Sequence, residues 1–190
     1  MNNSNLIKNV VFQNKHKSQK DLNIGSYADM NQTHSDVVLE IDKYGKYEAD
    51  ALVTEKENLK LVVKTADCMP VILSDGVKVG VIHIGWKGLE NKIFFKTVKK
   101  FNLKNLKISI GPHAQKCCYE IKDDLVQKFP EFIFIKEDKK YLDLSKEIVN
   151  FCIDNNLEFE NSSQCTIDNN SFNSYRRDKT NLRQRSMIWI

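Results

Sequence analysis

Several features that would indicate a membrane, secreted or modular protein are missing from this sequence of 190 residues. No apolar run approaches the roughly 20 residues that cross a bilayer. The first 25 residues are polar and rich in Asn and Lys, and they contain no signal-peptide core. There is no internal repeat, low-complexity tract or long linker. We therefore predict a single domain over residues 1–190, which is long enough to bury a core without cross-links.

The sequence also lacks a strongly charged segment. Lys and Arg together number 29 and Asp and Glu 25, which gives a formal net charge of +4 that is spread along the chain. Such a mild excess does not indicate a nucleic-acid-binding protein. It is compatible with an anionic small-molecule substrate.

Cysteine usage argues against a secreted disulfide framework. The number of cysteines is odd, their spacing is irregular and no CxxC motif occurs among Cys68, Cys117, Cys118, Cys152 and Cys165. This pattern predicts reduced thiols and a cytoplasmic protein. The neighbours Cys117 and Cys118 are poorly placed to form a disulfide with each other, so we expect at least one of them to pack as a small hydrophobic residue.

Short apolar runs separated by turn residues predict more strands than helices. The pair Asp75-Gly76 predicts the turn of a β-hairpin, and Phe94, Val98 and Phe101 share one face of a predicted helix. These elements predict a mixed α/β sandwich with flanking helices. The predicted strands cover 6–13, 36–42, 59–65, 70–75, 77–84, 106–111, 132–136 and 185–190, the helices 88–102, 123–130 and 143–156, and a polar loop 16–35.

Two short motifs place a thiol and an imidazole at the ends of apolar runs. Cys68 lies in TADCMPV and His83 opens HIGWKG, where Gly85 lets another group approach the backbone closely. With His34 from the polar loop, they make a set of two imidazoles and one thiol. The set suits zinc with an open fourth position, or copper, or a Cys nucleophile with a His base. Ordinary core packing is the competing interpretation.

The order of the motifs resembles one known family. QTHS, TADCMPVIL, GVIHIGWKG, IGPHAQKCCYEI and SYRRDKT follow one another as in the YfiH or laccase-domain family, also described as polyphenol oxidase-like and as purine nucleoside phosphorylase. The resemblance runs from about Leu22 to Ile190. It implies a compact α/β sandwich with zinc or copper held by His34, Cys68 and His83.

The activities that the resemblance implies concern purine nucleosides. Family members are associated with phosphorolysis of adenosine, inosine and methylthioadenosine to the base and ribose 1-phosphate, and with adenosine deamination. A purine nucleoside and phosphate are therefore the expected partners. One alternative is copper-dependent oxidation of phenols. Another is editing of peptidoglycan precursors, which a metal-free cysteine hydrolase or amidase would perform.

Further residues are candidates for this chemistry. A zinc ion would lower the pKa of a bound water and supply hydroxide for attack on adenosine. Asp50 matches a family position and is the candidate proton donor. Phosphate needs cationic or N–H partners. For Arg176 and Arg177, a structural salt bridge is an equal alternative to a phosphate contact. For Trp86, packing in the core is the alternative to stacking on a base. The candidate substrate-binding residues are Lys87, Trp86, Arg176, Arg177 and Arg183.

A non-catalytic zinc-binding module is a third class of function. It would need a fourth ligand that closes the site, and His113 is the histidine best placed to supply one. Otherwise we expect His113 to be a turn residue and His16 to be exposed. We interpret Cys165, which matches a family cysteine, as a packing residue.

The sequence departs from the family pattern on one side of the expected pocket. The glycine pair expected near the start is absent from 14–25, and a segment of some tens of residues is missing between Gly25 and Gln32. Ile84 replaces the alanine of HAGW, and a Thr-Gly-Arg triplet has become Asn181-Leu182-Arg183. One wall of the pocket is therefore expected to be shorter, while the three expected metal ligands are retained.

Overall fold

The computed structural model describes residues 2–15 and 26–190. Within them the chain forms short strands and a few short helices. The strands are β1 (Asn2–Asn3), β2 (Val11–Phe12), β3 (Tyr27–Met30), β4 (Val38–Glu40), β5 (Gly45–Tyr47), β6 (Ala51–Thr54), β7 (Lys60–Thr65), β8 (Met69–Ser74), β9 (Val79–Ile84), β10 (Lys107–Ile110), β11 (Ile133–Lys136), β12 (Lys139–Leu142), β13 (Glu158–Asn161) and β14 (Gln184–Ile188). The helices are α1 (Trp86–Glu90), α2 (Ile93–Val98), α3 (Asp123–Lys128), α4 (Lys146–Asp154) and α5 (Tyr175–Asp178).

The strands form two mixed six-stranded sheets and one separate hairpin. The first sheet has the order β1-β2-β14-β7-β3-β5, and the second has the order β13-β10-β8-β9-β6-β4. β11 and β12 form the hairpin. Parallel pairs such as β3 with β7 and β4 with β6 stand beside antiparallel ones such as β8 with β9. This confirms the predicted mixed α/β class.

Side-chain alternation along the second sheet builds two cores. On β8, Val71 and Leu73 face the helices and pack with Phe94 of α2 and Ile148 of α4. Ile72 points the other way and packs in the core shared with the first sheet. The layers are therefore helices, second sheet and first sheet. Because both faces of the second sheet are covered, its central strands β8 and β9 are mostly apolar.

Several predicted elements are confirmed. The hairpin of β8 and β9 turns at Asp75-Gly76, where Gly76 has φ +89° and the Asp75 carboxylate accepts hydrogen bonds from the backbone N–H groups of Val77 and Lys78. β7, β10, β11, α3, α4 and β14 fall within or close to their predicted ranges. α3 ends at Lys128, two residues before Pro130, as predicted.

The predicted helix over 88–102 is wrong in its extent. It is two helices, because Lys92 adopts a left-handed conformation with φ 59° between α1 and α2. Phe94 and Val98 share the buried face of α2 as predicted, and Phe101 lies beyond its end but in the same core. The break lets α1 begin at Trp86, directly after β9, and turns α2 back over the second sheet.

The strands β1, β3, β5, β6, β12 and β13 were not predicted, and the first predicted strand is shorter than expected. β5, β6, β12 and β13 are only three or four residues long, and β6 is buried on both faces, so it shows no alternation. Of the strand predicted over 6–13, only Val11–Phe12 pairs. Ser4 holds the preceding residues in a turn by accepting from the backbone N–H groups of Leu6 and Ile7.

The predicted polar loop over 16–35 contains a strand. β3 lies within it and pairs with β7 and β5, because Ala28 and Met30 are buried on one face. The prediction of an exposed His16 concerns a residue outside the described ranges. None of the helices formed by the described residues has the length and apolar character needed to cross a membrane.

Candidate functional site

Two neighbouring strands place a carboxylate against an imidazole at one end of the sandwich. The register pairs Ala51 of β6 with Ile82 of β9, so Asp50 stands opposite His83, and both point towards the first sheet. His83 Nδ1 donates to Asp50 Oδ1 at 2.7 Å, and both side chains are buried. This hydrogen bond leaves Nε2 of His83 as the nitrogen that can bind another group.

Cys68 comes from the turn between β7 and β8. The preceding residue, Asp67, has φ 84°, an uncommon conformation for a residue with a side chain. Its carboxylate accepts hydrogen bonds from the Thr166 hydroxyl at 2.8 Å and from the backbone N–H of Arg176 at 2.6 Å. These bonds stabilise the strained turn and thereby fix the direction of the Cys68 thiol.

His34 is held by the same carboxylate that orients His83. Asp50 accepts hydrogen bonds from the backbone N–H groups of Thr33, His34 and Ser35 and from the Ser35 hydroxyl. His34 itself has φ 61°. One buried carboxylate therefore positions the backbone of the first histidine and the ring of the second.

Gly85 provides the space into which these side chains converge. A Cβ atom at this position would lie 2.8 Å from Cδ2 of His34 and 3.1 Å from the Cys68 sulfur. The first distance is shorter than any ordinary carbon–carbon contact. The close approach predicted for Gly85 is therefore the approach of His34.

The three donor atoms fit one metal ion. One atom each from His34, Cys68 and His83 lies within 4.8 Å of the others, and the Cys68 sulfur is 3.5 Å from His34 Nε2. With metal–nitrogen and metal–sulfur bonds of about 2.1 and about 2.3 Å, a tetrahedral centre sets such ligands about 3.6 Å apart. The separation of the Cys68 sulfur and His34 Nε2 therefore fits two ligands of one tetrahedral metal ion.

Among the described residues, this donor group contains no fourth side chain. His113 is fully buried elsewhere, where Nδ1 bonds the Gly111 carbonyl and Gln115 contacts the ring. Burial lowers the pKa of His113 to about 4. With three side-chain donors among the described residues, the group has the ligand number of catalytic rather than structural zinc sites.

The imidazoles favour a thiolate at Cys68. Burial disfavours the charged thiolate, but hydrogen bonds and positive charge from His34 and His83 outweigh burial and lower the pKa of Cys68 to about 6. Burial likewise disfavours an imidazolium at His83, yet Asp50 and Cys68 raise its pKa to about 9. The protein thus provides a deprotonated sulfur ligand near neutral pH.

The sequence predicts that Asp50 is a proton donor, but the geometry favours a different role for this residue. Burial raises its pKa, but hydrogen bonds from His83 and Ser35 outweigh burial and lower the pKa of Asp50 to about 2. The side chain is fully buried behind His83 and does not line the cavity. Its position suits an ionised carboxylate that orients a metal-binding histidine.

The donor group opens into a cavity of about 890 Å³. His34, Cys68, His83 and Gly85 line one side. This volume lies within the range typical of small-molecule sites. The other lining residues are Met30, Asn31, Gln32, Thr33, Lys46, Lys64, Thr65, Ala66, Asp67, Trp86, Tyr119, Tyr175, Arg176, Asn181 and Arg183.

A family comparison covers nearly the whole chain. Residues 5–190 match the family model described as multi-copper polyphenol oxidoreductase laccase. The chain belongs to this laccase-like family. The similarity includes the segments that carry His34, Cys68 and His83, and it confirms the resemblance seen in the sequence motifs.

Relatives of this laccase-like protein bear a different functional name. It is 36% identical over 174 residues to a purine nucleoside phosphorylase of Clostridium acetobutylicum, a match covering 82% of this chain and 73% of the relative. It is 33% identical to a purine nucleoside phosphorylase of Aquifex aeolicus, covering 84% and 80%. Among solved structures, Bacillus licheniformis YfiH superposes with a TM-score of 0.78 at 28% identity, covering 88% and 75%.

The cavity of this laccase-like protein includes some of the predicted substrate-binding residues. Trp86, Arg176 and Arg183 line it, whereas Lys87 and Arg177 do not. Lys87 is exposed, with its ammonium group near the Trp86 ring. Arg177 donates to the carbonyl groups of Thr166, Ile167 and Phe172 and pairs with Asp178, which favours the structural alternative for that arginine.

Several lining residues were not identified from the sequence. Lys46 lies on β5, which was not predicted. Lys64 lies within β7, and the pattern of that strand did not indicate a binding residue. Gln32 bonds both the N–H and the carbonyl of Lys64 through its side-chain amide, which anchors the His34 loop to β7. Tyr119 belongs to the matched IGPHAQKCCYEI segment, so its motif was the available signal.

Proposed function

We propose that this protein is a metal-dependent purine nucleoside phosphorylase. The observation that carries the proposal is that three metal-donor side chains share one cavity with basic side chains that suit phosphate. The donors are His34, Cys68 and His83. The basic residues, which have no carboxylate partner among the described residues, are Lys46, Arg176 and Arg183. The names of the relatives support the same activity.

Zinc is the proposed ion, with copper as the alternative, and His34, Cys68 and His83 would hold it. When bound, such a cation supplies Lewis acidity to an oxygen of phosphate or water. Asp50 keeps the Nδ1 proton on His83, so that Nε2 faces the cavity. Arg176, whose guanidinium also lies over the Tyr119 ring at 5.2 Å, is proposed to orient phosphate.

The purine is proposed to bind against the aromatic residues of the cavity. Trp86 and Tyr119 both line it and offer planar faces on which a base can stack. We also propose adenosine deamination as a second activity of this site. It would use the same donor group with water instead of phosphate as the nucleophile, so the two activities would compete for one site.

Product analysis tests the proposal. The purified protein is incubated with adenosine, inosine and methylthioadenosine, with and without phosphate. We expect ribose 1-phosphate, or its methylthio analogue, only when phosphate is present, and inosine from adenosine without it. Absence of both reactions in zinc-loaded and copper-loaded protein would reject the proposal, and oxygen consumption with a phenol would then identify the laccase-like alternative.

The metal assignment has a test that does not depend on activity. Cys68→Ala should abolish stoichiometric zinc binding while changing the stability of the metal-free protein by less than about 1 kcal/mol, since the thiol is only partly buried. Zinc content and the melting temperature of the metal-free forms are the measurements. Full zinc occupancy in the variant would show that the zinc lies elsewhere.

Two lysines give a matched pair for the phosphate site. Lys46 lines the cavity, whereas Lys87 is also solvent-exposed but does not line it. Lys46→Ala should raise the KM for phosphate about tenfold, the effect of losing roughly 1.4 kcal/mol of binding. Lys87→Ala should leave it unchanged. Equal effects of the two substitutions would indicate a general electrostatic effect rather than a phosphate contact.

A cysteine hydrolase is the second candidate, favoured by the pKa of about 6 at Cys68 beside two imidazoles. In that reaction the thiolate would attack an amide or ester carbonyl and His83 would donate a proton to the leaving group. Removal of metal distinguishes the candidates. A hydrolase would retain activity after chelation and form a covalent adduct at Cys68, whereas the phosphorylase should lose activity and regain it with metal.

A further inference from the structure

A second group of sulfur atoms lies outside the site described above. The thiols of Cys117, Cys118 and Cys165 all lie within 4.8 Å of one another. The sulfur atoms of Cys117 and Cys118 are 2.9 Å apart. We call these three residues the thiol cluster. The cluster brings together residues that are far apart in sequence, and the sequence interpretation of Cys165 as a packing residue does not account for it.

Local hydrogen bonds hold the cluster together. The backbone N–H groups of Cys118 and Tyr119 both donate to the Gln115 carbonyl, which forms a tight turn around the adjacent cysteines. Cys165 forms a parallel β-bridge with His113. The bridge at His113 and the turn at Gln115 are two residues apart in the chain. The backbone therefore places the three thiols together.

The cluster is accessible from solvent on one side. Cys117 is exposed, Cys118 is partly buried and Cys165 is buried. Simple packing would not place a thiol at the surface, because an exposed side chain contributes little to the core. An exposed thiol above two less accessible ones provides an entry path for an ion.

We propose that the thiol cluster is a binding site for a soft monovalent cation, with Cu⁺ as the ion. Three sulfur donors without nitrogen or oxygen select soft metals. Structural zinc almost always takes four protein ligands, and among the described residues this group offers three. Cu⁺ is satisfied by three thiolates, so it matches the donor set better than zinc does.

The geometry needs only a small adjustment to accept the ion. Three sulfurs bound to one ion at about 2.3 Å in a trigonal plane lie about 4 Å apart. The cluster therefore has to open between Cys117 and Cys118, which side-chain rotation at the exposed Cys117 allows. Each thiol that coordinates releases its proton to solvent, so three thiolates and one Cu⁺ leave a local charge of −2.

Arg177 offsets part of this negative charge. It donates to the carbonyl of Thr166, the residue after Cys165, at 2.9 Å, and it interacts electrostatically with Cys165. Arg177, whose hydrogen bonds otherwise suggest only a structural role, thus has a second role in stabilising the charged cluster.

The test uses the full chain in a Cys68→Ser background, which removes the thiolate of the first site. Cu⁺ is supplied anaerobically in competition with a chromophoric Cu⁺ chelator, and ultraviolet thiolate-to-copper absorption is recorded. We expect one Cu⁺ per chain with this absorption, which the remaining His34 and His83 imidazoles do not give. Adding Cys117→Ser should weaken binding by at least about tenfold, because one of three thiolates is lost.

The matched control is Cys152→Ala in the same background, since Cys152 is a cysteine of the core outside the cluster. It should retain the Cu⁺ affinity of the background protein. Because Cys117 is exposed, its replacement should leave the circular dichroism spectrum and melting temperature unchanged. The proposal is overturned if the background protein binds no Cu⁺ with thiolate absorption, if Cys117→Ser binds it as tightly, or if the cluster takes Zn²⁺ and not Cu⁺.

Discussion

Gly85 determines how closely the donor side chains of the proposed metal site approach each other. Its φ is −96°, which alanine adopts without strain, so substitution tests space and not backbone conformation. In Gly85→Ala the new Cβ would meet His34 at 2.8 Å and Cys68 at 3.1 Å. We expect metal affinity to fall by at least about tenfold, comparable to the loss of an orienting contact. Competition with a chelator measures it.

Gly88→Ala is the matched control for this prediction. Gly88 lies in α1, three residues further on, and its new Cβ would approach Ile93 at 3.3 Å and the His83 carbonyl at 3.5 Å without reaching a donor atom. The control should therefore bind metal like the unmodified protein. If both variants lose metal equally, the effect of Gly85→Ala comes from α1 as a whole and not from the donor group.

Asp50 is expected to control the reactivity of Cys68 through His83. In the metal-free protein the alkylation rate of Cys68 should rise with pH and level off above about 6, because the thiolate forms above the pKa of Cys68. Asp50→Asn removes the charge that keeps His83 protonated, so the midpoint should move to higher pH. Rates of iodoacetamide labelling at Cys68, read by mass spectrometry, provide the profile. An unchanged midpoint would contradict this linkage.

At the scale of elements, α5 supports the site although it is only four residues long. Ser174 caps it by accepting from the Arg177 backbone N–H, and the Arg176 backbone N–H at the same end donates to Asp67. Ser174→Ala should cost about 1 kcal/mol of stability. It should also raise the KM for phosphate, since Arg176 loses its fixed position.

Ser171→Ala is the control for the cap, because Ser171 is exposed and lies outside the helix. Thermal unfolding and phosphate titration of both variants decide the matter. A loss of stability in Ser174→Ala with an unchanged KM would mean that α5 stabilises the fold without positioning phosphate-binding groups.

The elements that could be predicted from the sequence are those with local signals. The β8–β9 hairpin carries Asp75-Gly76, and α4 carries a helical apolar period, so both were recognised. β6 could not be distinguished by period because its four residues are all buried. β3 forms in a polar segment because of its pairing with β7 and β5, which is information from elsewhere in the chain.

The same distinction applies to the candidate site. Cys68 and His83 stand at the ends of recognisable strands, and the motifs linked them to His34. The hydrogen bond between Asp50 and His83 depends on the register between β6 and β9. The position of Lys46 in the cavity wall depends on β5. Neither role could be predicted without the fold. The thiol cluster depends on the bridge between His113 and Cys165, which no local pattern indicates.

At the scale of the whole molecule, the donor group lies at one end of the sandwich, where strands of the two sheets stop. His83 is the penultimate residue of β9 in the second sheet, while Cys68 lies in the connection from β7 of the first sheet to β8 of the second. A metal at this position would connect the two sheets. The cavity walls beyond it combine residues of β3, β5, β7, α1 and α5 with residues of the connecting loops.

The segment missing between Gly25 and Gln32 bears on substrate selectivity. With fewer wall groups to reject the wrong substituent at C6 of the purine, discrimination should be poor, and access of water should keep turnover slow. We expect kcat/KM for adenosine and inosine to lie within about a hundredfold, roughly 2.7 kcal/mol of differential transition-state binding. The competing arrangement is closure of that side by residues 43–50, and Lys46 of β5 already lines the cavity there. A preference for one nucleoside beyond a hundredfold would mean that β5 or a partner subunit closes the pocket. Lys46→Ala would distinguish these two arrangements, because it reduces selectivity only if β5 forms the wall.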